Sequence, residues 1–410
     1  MPQQTVLTPK GFVAAGLHAG IREGEGRDLA LIVNQGPAWN AAAVFPDSRV
    51  CASPVRATRE VMRSHAVNAV VLTSGNANAF NGSTGDADTR EIQKRVSQEI
   101  GVPEDRVAVC AKGQFAVPLP MERVKTGLAK LATDLGDTPA HAESAAATIA
   151  STQGTINQAG VSCGAWSVGG ISQGAGNSQE TLDTVLGCLT TDALVPAFSL
   201  EKALRRAMET TFNTLDRSTA PLTNDTVLLL ASGASQVTPN QTQLDEAVLA
   251  VCEALVEQLL VNQGSATKKL TLAVAGAAND EEARIAAQAV ACDGRFRESL
   301  LSGAPDWPRA LAIAGKTKVC LDAEALEINV NGTQLCQGIT PLLTSRVLDY
   351  DEHVTITLDL GTRGVGTATV RTFFGAYVRG KWASKSERPG GFENTIGETS
   401  AYFAAIITQK

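Results

Sequence analysis

Three stretches of this sequence have the residue types and spacing for chemistry. The first is Val168-Gly169-Gly170-Ile171-Ser172-Gln173-Gly174-Ala175-Gly176, followed eight residues on by Thr184-Val185-Leu186. Glycine-rich backbone set opposite a buried hydroxyl is a way to shape an active site. A threonine hydroxyl is a weak nucleophile by itself. It becomes a strong one when the chain is cut just before it, because the freed α-amine, with a pKa of about 7.7–8.0, serves as its general base. The bare pattern at Asp183 and Thr184 also suits an ordinary cap or strand residue, and by itself favours that plainer reading.

The second stretch is Ser74-Gly75-Asn76-Ala77-Asn78-Ala79, which follows the apolar strand ending at Leu72. Small residues and two asparagines at a strand exit suit a tight turn where backbone approaches a site or another strand. The residues favour a structural turn whose amides cap backbone groups. The third, Ala310-Leu311-Ala312-Ile313-Ala314-Gly315-Lys316-Thr317, matches a relaxed phosphate-loop pattern. A phosphate cradle needs a glycine-rich turn whose N–H groups converge on the anion. An apolar run cannot serve as that water-exposed cradle, so nucleotide binding is rejected.

Metal and thiol chemistry have little to build on. The four histidines, His18, His65, His141 and His353, are isolated in sequence. The eight cysteines (Cys51, Cys110, Cys163, Cys188, Cys252, Cys292, Cys320 and Cys336) include no C-x-x-C pair. They read as reduced, buried small hydrophobes. No metal site is expected from these residues.

The elements that must position these residues come from 410 residues, 44% hydrophobic and 19% charged, the balance of a soluble globular protein. With aromatics at only 4%, the core is built from Ala, Val, Leu and Ile. A net charge of −7 argues against a nucleic-acid partner. No apolar run reaches the ~18 residues of a membrane span. The start, Met1-Pro2-Gln3-Gln4-Thr5, has no signal or transit pattern, so a cytoplasmic protein is expected.

The first 80 residues read as strands and turns, with Leu29 to Val33 and Ala69 to Leu72 as strands covered on both faces. Helices are expected at Thr89 to Ile100, Pro120 to Leu135, Thr138 to Ala150, Leu200 to Phe212, Leu244 to Val261 and Asp280 to Val290. Between Ala159 and Thr191 the chain is glycine-rich and β-like. Strands return at Leu326 to Val330 and Val354 to Leu358, and Ala383 to Gly391 looks like an exposed loop. The fold class is α/β (mixed α+β), with large mixed sheets covered by helices.

At these residues the chain resembles the ornithine acetyltransferase (glutamate N-acetyltransferase) family of arginine biosynthesis. The blocks are Thr8-Pro9-Lys10-Gly11-Phe12, Asp28 to Ile32, Ala41 to Phe45, Ser74 to Asn78, Val168-Gly169-Gly170, Thr190-Thr191-Asp192-Ala193, Thr223-Asn224-Asp225-Thr226, Ala266-Thr267-Lys268 and Pro305-Asp306-Trp307. They run in one order from about Thr8 to Val378. The resemblance implies self-cleavage before a threonine that becomes the nucleophile of the second half, with an acetyl group passing from N-acetylornithine to that threonine and on to glutamate. By that resemblance the nucleophile position is Thr184, the scissile bond would be Asp183–Thr184, and neither a metal nor an organic cofactor would be needed. The halves would be residues 1–183 and 184–410, with 379–410 a divergent tail, assembled as a homo-oligomer.

The same comparison marks departures. Asp183 replaces the usual alanine, Lys112-Gly113 falls on a Thr-Gly pair that stabilises the oxyanion, and Gln173 replaces a lysine. Ser151 replaces the first of a substrate-binding threonine pair, with Thr152 retained. Gly264 falls where the family has a substrate-contacting glutamate, and Ser218-Thr219-Ala220-Pro221 replaces an acidic run. Two readings result. One is an acyltransferase, or related amidohydrolase, acting on a small N-acyl amino acid or amide. It would use Thr184, with Lys112 and the Gly113 N–H at the oxyanion and Ser151, Thr152, Gln173 and Gly264 at the substrate. The other is an uncleaved family member with different biosynthetic chemistry or a non-catalytic binding role.

Overall fold

The computed structural model describes residues 4–46, 48–150, 155–175, 182–215, 223–261, 268–301, 303–338, 340–342 and 353–374. In chain order the elements begin with β1 (Phe12–Leu17), β2 (Leu29–Asn34), β3 (Asn40–Val44), α1 (Ser53–Val61), β4 (Ala69–Asn76), α2 (Gly82–Ile100), β5 (Val107–Gln114), α3 (Met121–Thr133) and α4 (Pro139–Thr148). Next come β6 (Asn157–Cys163), β7 (Trp166–Ala175), β8 (Leu182–Thr191), α5 (Ala197–Thr210), β9 (Thr226–Ala231) and α6 (Gln241–Val261). Then follow β10 (Lys268–Ala277), α7 (Asp280–Ala291), α8 (Gly294–Leu301), α9 (Trp307–Lys316), β11 (Glu327–Val330), β12 (Thr333–Gln337), β13 (Thr340–Pro341), β14 (His353–Asp359) and β15 (Gly366–Phe374).

Residue alternation along the strands builds the layers. In the four-stranded sheet β1-β2-β4-β5, Ala69, Val71, Val107 and Val109 point outward onto Ile92, Val96, Val124 and Leu128 of α2 and α3. Their neighbours Val70, Leu72, Ala108 and Cys110 point inward, against α4 and against Ile171, Leu186, Cys188, Leu228 and Leu230 of a second sheet. That five-stranded sheet, ordered β3-β9-β8-β7-β6, turns its other face (Val168, Val185, Leu189, Leu229) onto α5 and α6. Both faces of each sheet are covered, which is why the strands read as unbroken apolar runs. The third sheet, β13-β12-β11-β14-β10-β15, packs with α7, α8 and α9 around a core of its own.

The mixed α/β class with helix-covered sheets is the one the sequence indicates. Residues 1–375 form one compact unit, and the bond Asp183–Thr184 lies inside β8, so residues on both sides of it share the five-stranded sheet. Residues 376–410, with the expected loop and tail, lie outside the described residues.

Three expectations need correction. The first 80 residues include the helix α1, whose buried Val55, Thr58 and Val61 recur every three residues behind Pro54 in the first turn. It covers the edge strand β5, where the Thr58 hydroxyl donates to the Val109 carbonyl at 2.8 Å and accepts from the Val109 N–H at 2.9 Å. Helix α2 begins at Gly82, well before Thr89, through a polar turn with no apolar period to reveal it. The cysteines are not uniformly buried: Cys110, Cys188, Cys252 and Cys336 are, whereas Cys320 is exposed. The rejected phosphate loop is confirmed as such. Gly315 and Lys316 end helix α9, and a helix C-terminus presents carbonyl oxygens that repel an anion.

Candidate active site

The candidate residues gather where the ends of β4 and β5 face the start of β8. On β8, Leu186 and Cys188 point into the layer between the two sheets, and Thr184 is buried two residues before Leu186, where the register between β7 and β8 shifts. Gln173 on β7 stands opposite Leu186, at the point where the register between the two strands shifts. The Asn157 amide donates to Gln173 Oε1 at 2.9 Å, and Gln173 Nε2 is buried without a hydrogen-bond partner.

On the facing sheet, Ser74 and Lys112 are register partners in the parallel pair β4–β5. They continue the inward rows of Val70 and Leu72 and of Ala108 and Cys110, so both enter the same layer. Lys112 Nζ donates to the carbonyls of Ile149, at 2.8 Å, and Ala150, at 3.3 Å, at the end of α4. A helix C-terminus carries partial negative charge and suits an ammonium. Gly113 follows in the left-handed region, with φ +132°, and a Cβ there would lie 2.2 Å from the Gly75 carbonyl carbon. The two strand ends are therefore in backbone contact, closer than any side chain allows.

Two adjacent residues, neither singled out beforehand as site residues, fix this region: Asn224 ties the two sheets together, and Asp225 ties β8 to the entry of β9 within one sheet. Asn224 Nδ2 donates to the Ala77 carbonyl at 2.6 Å and to the Ala111 carbonyl at 3.0 Å. Asp225 Oδ1 accepts from the Val185 N–H at 2.8 Å, next to Thr184. Their signal in the sequence was the polar run Thr223-Asn224-Asp225-Thr226 at a strand entry.

Other sequence blocks prove structural. In the turn after β4, Asn76 Nδ2 donates to the Val117 carbonyl at 2.9 Å, and Asn78 Nδ2 donates to the Gly85 carbonyl at 2.9 Å. That is the capping turn the residues favoured. Gly169 and Gly170 serve packing: a Cβ on Gly169 would lie 2.0 Å from the Thr5 carbonyl oxygen, and one on Gly170 would press on Val251 and Leu255 of α6. Asp192 accepts from the N–H groups of Lys10, at 3.1 Å, and Ser167, at 2.8 Å, tying the N-terminal segment to β7 and β8. Ser151, Thr152 and Gly264 lie outside the described residues, as does the side chain of Asp183.

The buried thiols nearby do not compete as nucleophiles. Burial pushes the Cys188 thiol up to about 12, and burial together with the neighbouring Cys188 holds Cys110 higher still. Both stay protonated and inert at neutral pH. Among the described residues no three His, Cys, Asp or Glu side chains gather as a metal site requires, and no helix is long and apolar enough to cross a membrane. A cleft of about 480 Å³ between α1 and α2, lined by Arg56, Asp86 and Arg90 among others, includes none of the gathered residues.

The fold is thus a sandwich of two helix-covered sheets, with the buried Thr184 at the start of one of its strands. A sequence model of the ArgJ family matches residues 13–378. The arginine biosynthesis bifunctional protein ArgJ of Mycobacterium bovis is 39% identical over 378 residues, covering 90% of this chain and 93% of that protein. Its counterpart in Streptomyces avermitilis is 37% identical over 372 residues, covering 90% and 96%. The chain belongs to the ArgJ family, in agreement with the resemblance read from the sequence. Among solved structures, a chain of ornithine acetyltransferase from Mycobacterium tuberculosis complexed with ornithine is 35% identical, covering 43% of this chain and 95% of that one, with a TM-score of 0.42.

Proposed function

We propose that the chain is an N-acyltransferase of arginine biosynthesis that carries an acetyl group between amino-acid amines on Thr184. The observation that supports this most is the position of Thr184, buried at the start of β8, a strand in contact with the one that carries Lys112 and Gly113, with the Val185 N–H beside it fixed by Asp225. Membership of a family whose relatives are named for arginine biosynthesis favours this reading over a non-catalytic role.

The chemistry follows from the residues. Cleavage of Asp183–Thr184 frees the Thr184 α-amine, which takes the hydroxyl proton as Thr184 Oγ attacks the acyl carbon of an N-acetyl amino acid such as N-acetylornithine. The C–N bond breaks and the amine leaves with that proton, giving acetyl-Thr184. A second amine, that of glutamate, attacks the ester carbon and regenerates the hydroxyl. The Gly113 N–H is an oxyanion donor in this scheme, and the Lys112 ammonium adds positive potential while bound to the Ile149 and Ala150 carbonyls. Gln173, with its unpartnered amide N–H, is the polar group offered to the substrate. The same reading makes the protein a cytoplasmic homo-oligomer.

Intact-mass spectrometry of the purified protein is the test. Fragments Met1–Asp183 and Thr184–Lys410, with an acetyl adduct on Thr184 after N-acetylornithine is added, are expected; Thr184→Ala abolishes both. A single uncut mass with no adduct would overturn the mechanism in favour of an uncleaved protein with other chemistry.

A further inference from the structure

We propose that the Ser74 hydroxyl is a catalytic residue: it donates a hydrogen bond to the acyl oxygen while negative charge builds there. This rests on the acyl-Thr184 reading above. Ser74 is 2% exposed, and its hydroxyl has no hydrogen-bond partner. A buried hydroxyl normally finds one, so a hydroxyl the fold does not use is available to a ligand. Its backbone N–H donates to the Asp28 carbonyl at 3.0 Å.

Position supplies the rest. Ser74 ends the inward-facing row of β4, directly across the register from Lys112. On β8, which contacts β5, the inward residues Cys188 and Leu186 lead back toward the buried Thr184, and consecutive residues link the two strands. Asn224 binds the Ala111 carbonyl next to Lys112, and Asp225 binds the Val185 N–H next to Thr184. The Lys112 ammonium is already directed to the Ile149 and Ala150 carbonyls. Ser74 therefore offers a compact neutral donor in the same layer. As Thr184 Oγ bonds to the acyl carbon, the carbonyl π electrons move to oxygen and the Ser74 O–H donates to it. When the C–N bond breaks, those electrons re-form the carbonyl and the Ser74 proton stays on serine. Such a donor acts more strongly on the transition state than on the ground state.

Ser172 is the internal control. Its hydroxyl is also buried and unpartnered, but it shares the face of Val168 and Gly170, turned toward α6. The experiment compares wild type, Ser74→Ala, Ser74→Thr and Ser172→Ala in steady-state acetyl transfer from N-acetylornithine to glutamate, with thermal melts of each. The expected result for Ser74→Ala is a fall of about 10²–10³ in kcat with KM within about threefold and the melt unchanged. Ser74→Thr retains most of the activity, and Ser172→Ala matches wild type. A Ser74→Ala enzyme with wild-type kcat overturns the proposal while leaving Thr184 in place, as does an equal loss in Ser172→Ala. If Ser74→Ala does not fold, Ser74→Cys fills the same space with a weak donor; a loss of tenfold or more supports the proposal and wild-type kcat overturns it. Wild type no more active than Thr184→Ala removes the acyl-enzyme reading itself, and this proposal with it.

Discussion

Asn224 Nδ2 donates to the Ala111 carbonyl at 3.0 Å, and that bond joins the entry to β9 in one sheet to the strand carrying Lys112 and Gly113 in the other. With its second bond, to the Ala77 carbonyl, the same amide fixes the ends of both β4 and β5. The geometry of the candidate site depends on this side chain although it carries out no chemistry.

Asn224→Ala leaves two strand-end carbonyls without their amide donor. The expected loss is about 1–3 kcal/mol in urea unfolding, together with a fall in turnover. Asn224→Asp is expected to cost at least as much, since a carboxylate cannot donate and would face two carbonyl oxygens. A variant with the wild-type unfolding midpoint would show that the sheets are held in register by other contacts.

Gly113→Ala places a methyl 2.2 Å from the Gly75 carbonyl carbon and 2.4 Å from the Asn76 nitrogen at a backbone φ of +132°. Neither neighbour is a flexible side chain, so the strand ends must separate. The variant is expected to be insoluble, or folded with turnover near background. Full activity in a soluble Gly113→Ala enzyme would refute the backbone contact.

Thiol labelling of the native protein is expected to modify Cys320 first and to spare Cys110, Cys188 and Cys252 until the chain unfolds. The same burial predicts a pH dependence. The folded Cys188 thiol titrates near 12 and an unfolded one near about 8.5, so the folded state holds the proton longer. Stability from this group is complete below about pH 8.5 and is lost as pH rises toward 12. Urea midpoints measured from pH 8 to 11 should fall less steeply in Cys188→Ala than in wild type.

At acid pH the sign reverses for Asp293. Hydrogen bonds from Arg309, at 2.5 and 2.8 Å, hold its carboxyl below the usual carboxylate value, despite the opposing effect of burial, and tie α9 to the start of α8. Its contribution is present above the unfolded pKa of about 3.9 and is lost as pH falls through the lower folded value. Asp293→Asn should therefore lower the melting temperature at neutral pH and narrow its gap to wild type below pH 4. An unchanged gap across that range would remove Asp293 from the acid response.

The sequence by itself determined the layers and the family. Unbroken apolar strands such as Leu29 to Val33 announce coverage on both faces, and the blocks from Thr8 to Val378, in one order, carry the family resemblance. It also rejected the phosphate loop at Ala310 to Thr317 correctly, on polarity alone. Helix α1 was missed because a nine-residue segment with proline in its first turn has too few apolar positions to show a period. What only the tertiary structure decided is which groups meet. Nothing local distinguishes Ser74 from Ser172, or Asn224 from the asparagines of an ordinary turn. Strand register places Ser74 beside Lys112, and the facing of two sheets, set by alternate side chains far apart in the chain, brings that pair toward Thr184. Hydrogen bonding and burial at such a site are long-range properties, since each partner is supplied by a different strand.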